Sequence, residues 1–171
     1  MKQNNLWTPW RMEHVLGTAG TVDGCLFEPP GNASSSREHL LLYRDMLVVV
    51  LLNRFPYANG HLLVAPVRHL ADITDMTPEE NNALMAMVQQ GCAIIRRHLR
   101  PDGFNIGLNL GEVAGAGISD HLHMHIVPRW HGDHNFMTVI ADIRTIPQHI
   151  RHTYDQLLPD FQELLAGTEQ R

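Results

Sequence analysis

Three short apolar runs stand close together in the first half of the chain: HLLLYRD (residues 39–45), MLVVVLLN (46–53) and HLLVAP (61–66). Leu and Val dominate them, and turn-forming residues divide them: Arg44 and Asp45 at one break, the Pro and Gly of NRFPYANG at the other. That punctuation predicts an antiparallel meander. Over residues 77–99 the period changes, with Leu84, Met87, Val88, Gly91, Ile94, Ile95 and Leu99 recurring at three and four residues. This spacing predicts a helix. Thr77 and Glu80 form a capping box, Pro78 suits the first helical position, and Arg96, Arg97 and His98 complement the dipole before Pro101 ends the element. FNIGLNL (104–110) then reads as a strand, GEVAGAGIS (111–119) as a glycine-rich loop, HLHMHIVP (121–128) and FMTVIADIRTI (136–146) as strands, and residues from about 147 to 165 as a closing helix. The serine cluster of GNASSSRE (31–38) reads as a solvated loop. One long helix inserted among antiparallel strands, with a second helix at the end, predicts an α+β fold.

The 171 residues contain no internal repeat, no heptad run and no long linker, so a single domain spanning 1–171 is expected. No apolar run is long enough to span a bilayer, and the first residues lack the apolar stretch of a signal peptide. A soluble, cytoplasmic protein without a membrane partner is expected. The net charge of −5 disfavours non-specific attraction to a nucleic-acid backbone, so no nucleic-acid partner is expected. Lys2 is the single lysine, which removes P-loop, pyridoxal Schiff-base and lysyl-nucleotide chemistry. Two distant cysteines, Cys25 and Cys92, give no disulfide framework. Histidine is the anomaly: seven of the twelve fall between His121 and His152.

His121, His123 and His125 alternate strictly with Leu122, Met124 and Ile126. A strand with this period puts the three imidazoles on one face and a core behind the other. The loop before them is rich in glycine, at Gly111, Gly115 and Gly117, and glycines let successive backbone N–H groups approach an anion. Loop and strand together propose a phosphate site. A plain solvent-exposed histidine face, or a metal-binding one, stays open on these residues alone.

HLHMHIVPRW resembles the alternating His signature of the histidine triad family of nucleotide hydrolases and transferases, and NRFPYANGHLLVAPVRH resembles that family's preceding hairpin. The resemblance covers roughly residues 25–130, with two separated motifs in the right order. LWTPWRMEHV and PRWHGDHNFM look like the bacterial diadenosine tetraphosphate phosphorylase branch. The resemblance implies a histidine triad sheet with one inserted helix and a C-terminal helix. It implies His123 as the nucleophile that attacks the α-phosphorus, with His121 and His125 beside it and His125 binding phosphoryl oxygens. The backbone of Ala116, Gly117, Ile118 and Ser119 is implied as the source of N–H donors. Asn53 takes the place of a nucleoside contact, and Asn109, with one residue of extra spacing, that of a polar residue opening the glycine loop. Many family hydrolases carry Gln four residues before the first triad histidine, where this chain has Gly117. That departure weighs against simple hydrolysis and is compatible with a phosphorylase, although Gly117 also suits a turn.

The resemblance further implies a structural zinc, with no cofactor required for the chemistry. Family members that hold it use a Cys-x-x-Cys, the histidine closing the hairpin and the first triad histidine. The matching positions are Cys25, Glu28, His69 and His121, with Glu replacing the second cysteine. A carboxylate ligates zinc, so the set is chemically acceptable. His131, His134, His149 and His152 match no family position and are expected at the surface. The expected partners are a nucleotide substrate of the dinucleoside polyphosphate class, inorganic phosphate for a phosphorylase, and a second copy meeting the first through the helix from Thr77 and the strand at Phe104. Two other readings are carried: a family hydrolase of nucleotide anhydrides or phosphoramidates, and a non-catalytic module in which the histidines only bind nucleotide or metal.

Overall fold

The structure, a computed structural model, describes residues 24–28, 35–133 and 149–168. The segment 136–146 expected as a strand, and the N-terminal LWTPWRMEHV, lie outside the described residues. Five strands make one antiparallel sheet: β1 (Leu41–Arg44), β2 (Val48–Leu52), β3 (Leu62–Pro66), β4 (Gly103–Leu108) and β5 (Met124–Arg129), in the order β1-β2-β3-β5-β4. Helix α1 (Pro78–Leu99) lies between β3 and β4 in sequence, and helix α2 (Ile150–Thr168) follows β5. This is the expected α+β class, with the described part of the closing helix beginning at Ile150.

Every residue of β2 and β3 is buried. Their pattern is continuous because both faces are covered, which removes the need for an outward polar face. Val48, Val50, Leu52, Leu62 and Val64 join the core beneath the helices, with Ile95, Tyr154, Leu157 and Phe161. Val49, Leu51, Leu63 and Ala65 join a smaller cluster on the opposite face, with Leu41 and Phe27. No described helix is long and apolar enough to cross a membrane.

The turns follow from side-chain chemistry. Asp45 accepts hydrogen bonds from the Leu47 and Val48 amides at 2.8 and 2.7 Å, closing the β1–β2 turn. Gly60 ends the next turn at φ +76°, and a Cβ there would stand 2.4 Å from Leu99 Cδ1 at the end of α1. The positive φ favours glycine, and any Cβ there would also require the end of the Leu99 side chain to shift. Gly91 brings α1 onto the sheet, since a Cβ there would lie 3.0 Å from Ile126 Cδ1.

The expected capping box is present at α1: Glu80 N donates to Thr77 Oγ1, and Thr77 N donates to Glu80 Oε2 at 2.8 Å. Arg68 joins it with two 2.7 Å bonds to the same carboxylate, whose side chain is 9% exposed. Those bonds, chiefly from Arg68, hold the Glu80 carboxyl at about 2, below the ordinary glutamate value. A carboxyl depressed on folding contributes stability that is complete above its unfolded pKa and is lost as pH falls through the folded one. Glu80→Ala is expected to lower stability by roughly 1–2 kcal/mol at pH 7. The difference from the parent protein should shrink between about pH 4.5 and pH 2. Denaturant melts at pH 7 and pH 2.5 check this, and an equal difference at both would contradict it.

Candidate active site and metal cluster

Strand β5 begins at Met124, so His125 sits in the sheet while His121 and His123 lie in the extended lead-in. The strand starts late because β3 pairs with it only as far as Val64 with Met124, and the Leu122 amide turns away to the Leu70 carbonyl at 2.7 Å. The alternation survives this. Met124 and Ile126 enter the core beneath α1. The His121 and His123 rings pack against Phe27, with centroids 4.9 and 5.1 Å away, and the His123 and His125 rings stand 4.9 Å apart. The structure thus brings the three imidazoles together, as the spacing requires.

His123 is 5% exposed, and its Nδ1 lies 2.8 Å from the His121 carbonyl. A carbonyl only accepts, so Nδ1 carries the hydrogen and Nε2 keeps its lone pair. Burial pushes the imidazole below its usual pKa, against the opposing pull of that carbonyl. The neutral, nucleophilic form is thereby favoured at pH 7. His61, which the sequence reading did not single out, completes a second network. It is fully buried immediately before β3, and its Nε2 lies 2.9 Å from His125 Nδ1. On its other side, the Tyr57 amide and Asn53 Nδ2 converge on Nδ1 at 3.1 and 3.2 Å. The Asn53 amide is oriented by its Oδ1, which accepts from the Phe55 amide at 2.9 Å. Two donors on His61 Nδ1 place its hydrogen on Nε2, which donates to His125 Nδ1 and leaves the His125 hydrogen on Nε2. Tyr57 stacks on His61 at 4.9 Å and 18°. The signal for His61 was the Gly-His step of the hairpin motif. Nothing local in the sequence marks Tyr57.

The glycine loop precedes the triad. Gly111 and Gly115 take φ +76° and +89°, and Asn109 Nδ2 donates to the Gly115 carbonyl at 3.3 Å. The Ala116 amide is already engaged with the Gly111 carbonyl at 3.3 Å. Among the described residues, the Gly117, Ile118 and Ser119 amides make no backbone hydrogen bond. Successive backbone amides can line an anion-binding concavity where the chain turns them inward. Beside His125 opens a cavity of about 1170 Å³, which also reaches Tyr57, Asn105, Gly107, Asn109 and Arg129. Of the four histidines expected at the surface, His131, His149 and His152 are exposed, and His134 lies outside the described residues.

Behind the triad, Cys25, Glu28, His69 and His121 each offer one ligand atom, all within 4.8 Å of one another. His121 Nε2 donates to the Pro66 carbonyl at 2.9 Å, so its Nδ1 lone pair faces Cys25 Sγ at 3.1 Å. His69 Nδ1 lies 3.1 Å from Glu28 Oε1. One thiol, one carboxylate and two imidazoles form a donor set that zinc accepts in four-coordinate geometry. Burial raises the Cys25 thiol above its ordinary pKa, so a cation would have to displace its proton.

The family model described as HIT domain matches residues 35–132. An AP-4-A phosphorylase of Mycobacterium tuberculosis is 41% identical over 154 residues, covering 86% of this chain and 79% of that protein. A zinc-bound histidine triad family protein from Mycobacterium smegmatis superposes with a TM-score of 0.60 at 30% identity, covering 75% of this chain and 87% of its own. A HIT family protein from Bacillus anthracis, at 25% identity and a TM-score of 0.55, covers 88% and 98%. With the paired hairpin and triad histidines in place and the family match spanning more than half of its length, this chain belongs to the histidine triad family.

Proposed function

We propose that this chain, acting as a single-domain enzyme in the cytoplasm, phosphorolyses a dinucleoside polyphosphate through a nucleotidyl-histidine intermediate, converting diadenosine tetraphosphate and phosphate to ATP and ADP. The observation that carries the reading is the buried His123 ring, held with a hydrogen on Nδ1 and a lone pair on Nε2. The M. tuberculosis relative named for the same activity supports it. Nε2 attacks the α-phosphorus in line, a P–N bond forms, and the bond to the bridging oxygen breaks with its electron pair leaving on ATP. The His121 carbonyl bears the Nδ1–H of the ring as it becomes positive. A phosphate oxygen then attacks the same phosphorus, the P–N pair returns to Nε2, and ADP departs. His125, as an Nε2–H donor, and the amides of Gly117, Ile118 and Ser119 face the developing charge on the phosphoryl oxygens. Asn109 stands at the mouth of that loop, and Ala116 acts through its turn because its amide is engaged. Asn53 serves the site from the His61 side.

His123→Asn is expected to lower kcat/KM by at least about a thousandfold while AMP still binds, as for loss of a nucleophile. Omitting inorganic phosphate from the wild-type assay should stop consumption of diadenosine tetraphosphate. Steady turnover without phosphate would identify a hydrolase, and full activity of His123→Asn would remove the mechanism.

Zinc fits Cys25, Glu28, His69 and His121, and when bound it supplies a structural cross-link and no step of the reaction. Those residues join the segment 25–28, the β3 exit and the triad lead-in, so a bound cation would cross-link three separate stretches. Untagged protein should contain stoichiometric zinc by elemental analysis, and Cys25→Ser should lose it and melt several degrees lower. A metal-free parent, or zinc retained in Cys25→Ser, would overturn the assignment.

The chain also pairs with a second copy through α1 and β4. β4 ends the strand order, and Ile106 on it is 46% exposed. An unprotected strand edge with an exposed apolar residue favours pairing with another edge. Light scattering at micromolar concentration should give the dimer mass, and a monomer mass would refute the pairing.

A further inference from the structure

Past Pro66 the chain leaves the sheet, and residues 67–70 have no regular secondary structure. The Val67 amide still donates to the Leu47 carbonyl at 2.8 Å, but from Arg68 to Leu70 no backbone amide donates to a backbone carbonyl among the described residues. Side chains must set the course of this stretch. Yet it is the stretch that holds the triad lead-in. The Pro66 carbonyl accepts from His121 Nε2 at 2.9 Å, the His69 ring stands 4.7 Å from the His121 ring, and the Leu70 carbonyl accepts from the Leu122 amide at 2.7 Å.

The last of these bonds reaches the nucleophile through one peptide group. The N–H of Leu122 and the C=O of His121 are its two ends, and a trans peptide is planar with those bonds pointing in opposite directions. Tying the N–H to Leu70 therefore aims the carbonyl, which receives His123 Nδ1 at 2.8 Å. Hydrogen bonds in series also polarise one another, so the Leu70 bond strengthens the acceptor that fixes the His123 tautomer.

Arg68 ties this stretch to the rest of the fold. Beside its paired bonds to Glu80 at the start of α1, its Nη2 donates to the Asp75 carbonyl at 2.7 Å. Asp75 ends the short 3-10 turn Ile73–Asp75, whose N-cap Asp72 accepts from the Thr74 amide at 2.9 Å. The guanidinium thus closes a loop, from 68 to 75 and 80, that contains the buried Leu70. A planar fork bonded at two nitrogens fixes orientation as well as distance, which a flexible ammonium does not. The capping box is complete without Arg68, because Thr77 and Glu80 satisfy each other, so the arginine adds the link from helix to loop.

We infer that Arg68 is a positioning residue for the nucleophile: by anchoring the loop that carries the Leu70 carbonyl, it sets the 121–122 peptide and through it the ring of His123. The inference rests on the nucleotidyl-transfer reading for what His123 does, and extends it to what holds His123 ready. Arg68 touches neither substrate nor the reacting atoms in this account. Its loss should therefore slow the chemistry and leave ground-state binding intact.

The test compares Arg68→Met with the wild type at equal metal content and well below the melting temperature of either. For diadenosine tetraphosphate, kcat should fall about tenfold or more while KM stays within about twofold. Two spectroscopic readouts follow the path itself. The Leu122 amide should exchange with solvent about tenfold faster, while amides in the middle of β5 keep their rates. In 15N-histidine spectra at a fixed pH, the His123 signals, assigned by their disappearance in His123→Asn, should move from a single tautomer to a mixture. Arg68→Lys should fall between the two proteins in each measurement. Arg37→Met, which breaks a pair of similar geometry to Asp155, should leave kcat unchanged. If Arg68→Met folds poorly because Glu80 has lost its cation, Arg68→Met with Glu80→Gln removes the charge, keeps the cap and carries the same expectations.

An unchanged kcat in the folded variant would overturn the inference. So would a lower kcat with an unaltered Leu122 amide and His123 tautomer, since the guanidinium would then act on the substrate through its charge. An equal fall of kcat in Arg37→Met would overturn it as well, because general loosening would be the cause. If the wild type forms no adenylyl adduct on His123, nucleotidyl transfer is wrong, and the amide and tautomer readouts alone decide whether Arg68 positions the ring.

Discussion

The hydrogen bond from His123 Nδ1 to the His121 carbonyl is the contact on which the site depends. It selects one tautomer of the central imidazole and aims the other nitrogen away from its own backbone. The carbonyl is itself held in place, because the side chain of His121 is fixed at both nitrogens, to Pro66 and to Cys25. The first triad histidine thus serves the second through its backbone while its ring faces Cys25, one of the candidate metal ligands. Division of labour between main chain and side chain explains how one residue stands in both arrangements without conflict.

The sheet makes that possible by being buried on both sides. The helix-side core takes Met124 and Ile126, and the smaller cluster around Phe27 takes the faces of His121 and His123. Phe27 is fully buried against the rings of His121 and His123. Its ring excludes water from the histidines, and this desolvation keeps them neutral. A smaller residue at 27 would wet the histidines as well as loosen the sheet.

Much of this was legible in the chain, because strong periodicities carry structural information directly. The period-two run at 121–126 placed three imidazoles on one side, and the capping signals bounded α1 to the residue at Thr77. The continuous Leu and Val runs gave strands without saying that both faces are covered, since a buried strand has no alternation to read. His61 escaped because its meaning lies in its partners: Asn53 and Tyr57 are close in sequence, but His125 is sixty-four residues away. The late start of β5 was equally hidden, because it depends on the Leu70 carbonyl capturing the Leu122 amide.

Gly60 carries a consequence for how the site opens. A Cβ at this position would stand 2.4 Å from Leu99 Cδ1, the side-chain end of the last residue of α1. The hairpin tip that supplies the Tyr57 amide therefore rests on the end of the helix. Local unfolding proceeds in contiguous units, so contact between these two segments couples the opening of one to the packing of the other. Fraying of the helix end therefore removes packing from the hairpin tip that supplies the hydrogen-bonded support behind His125.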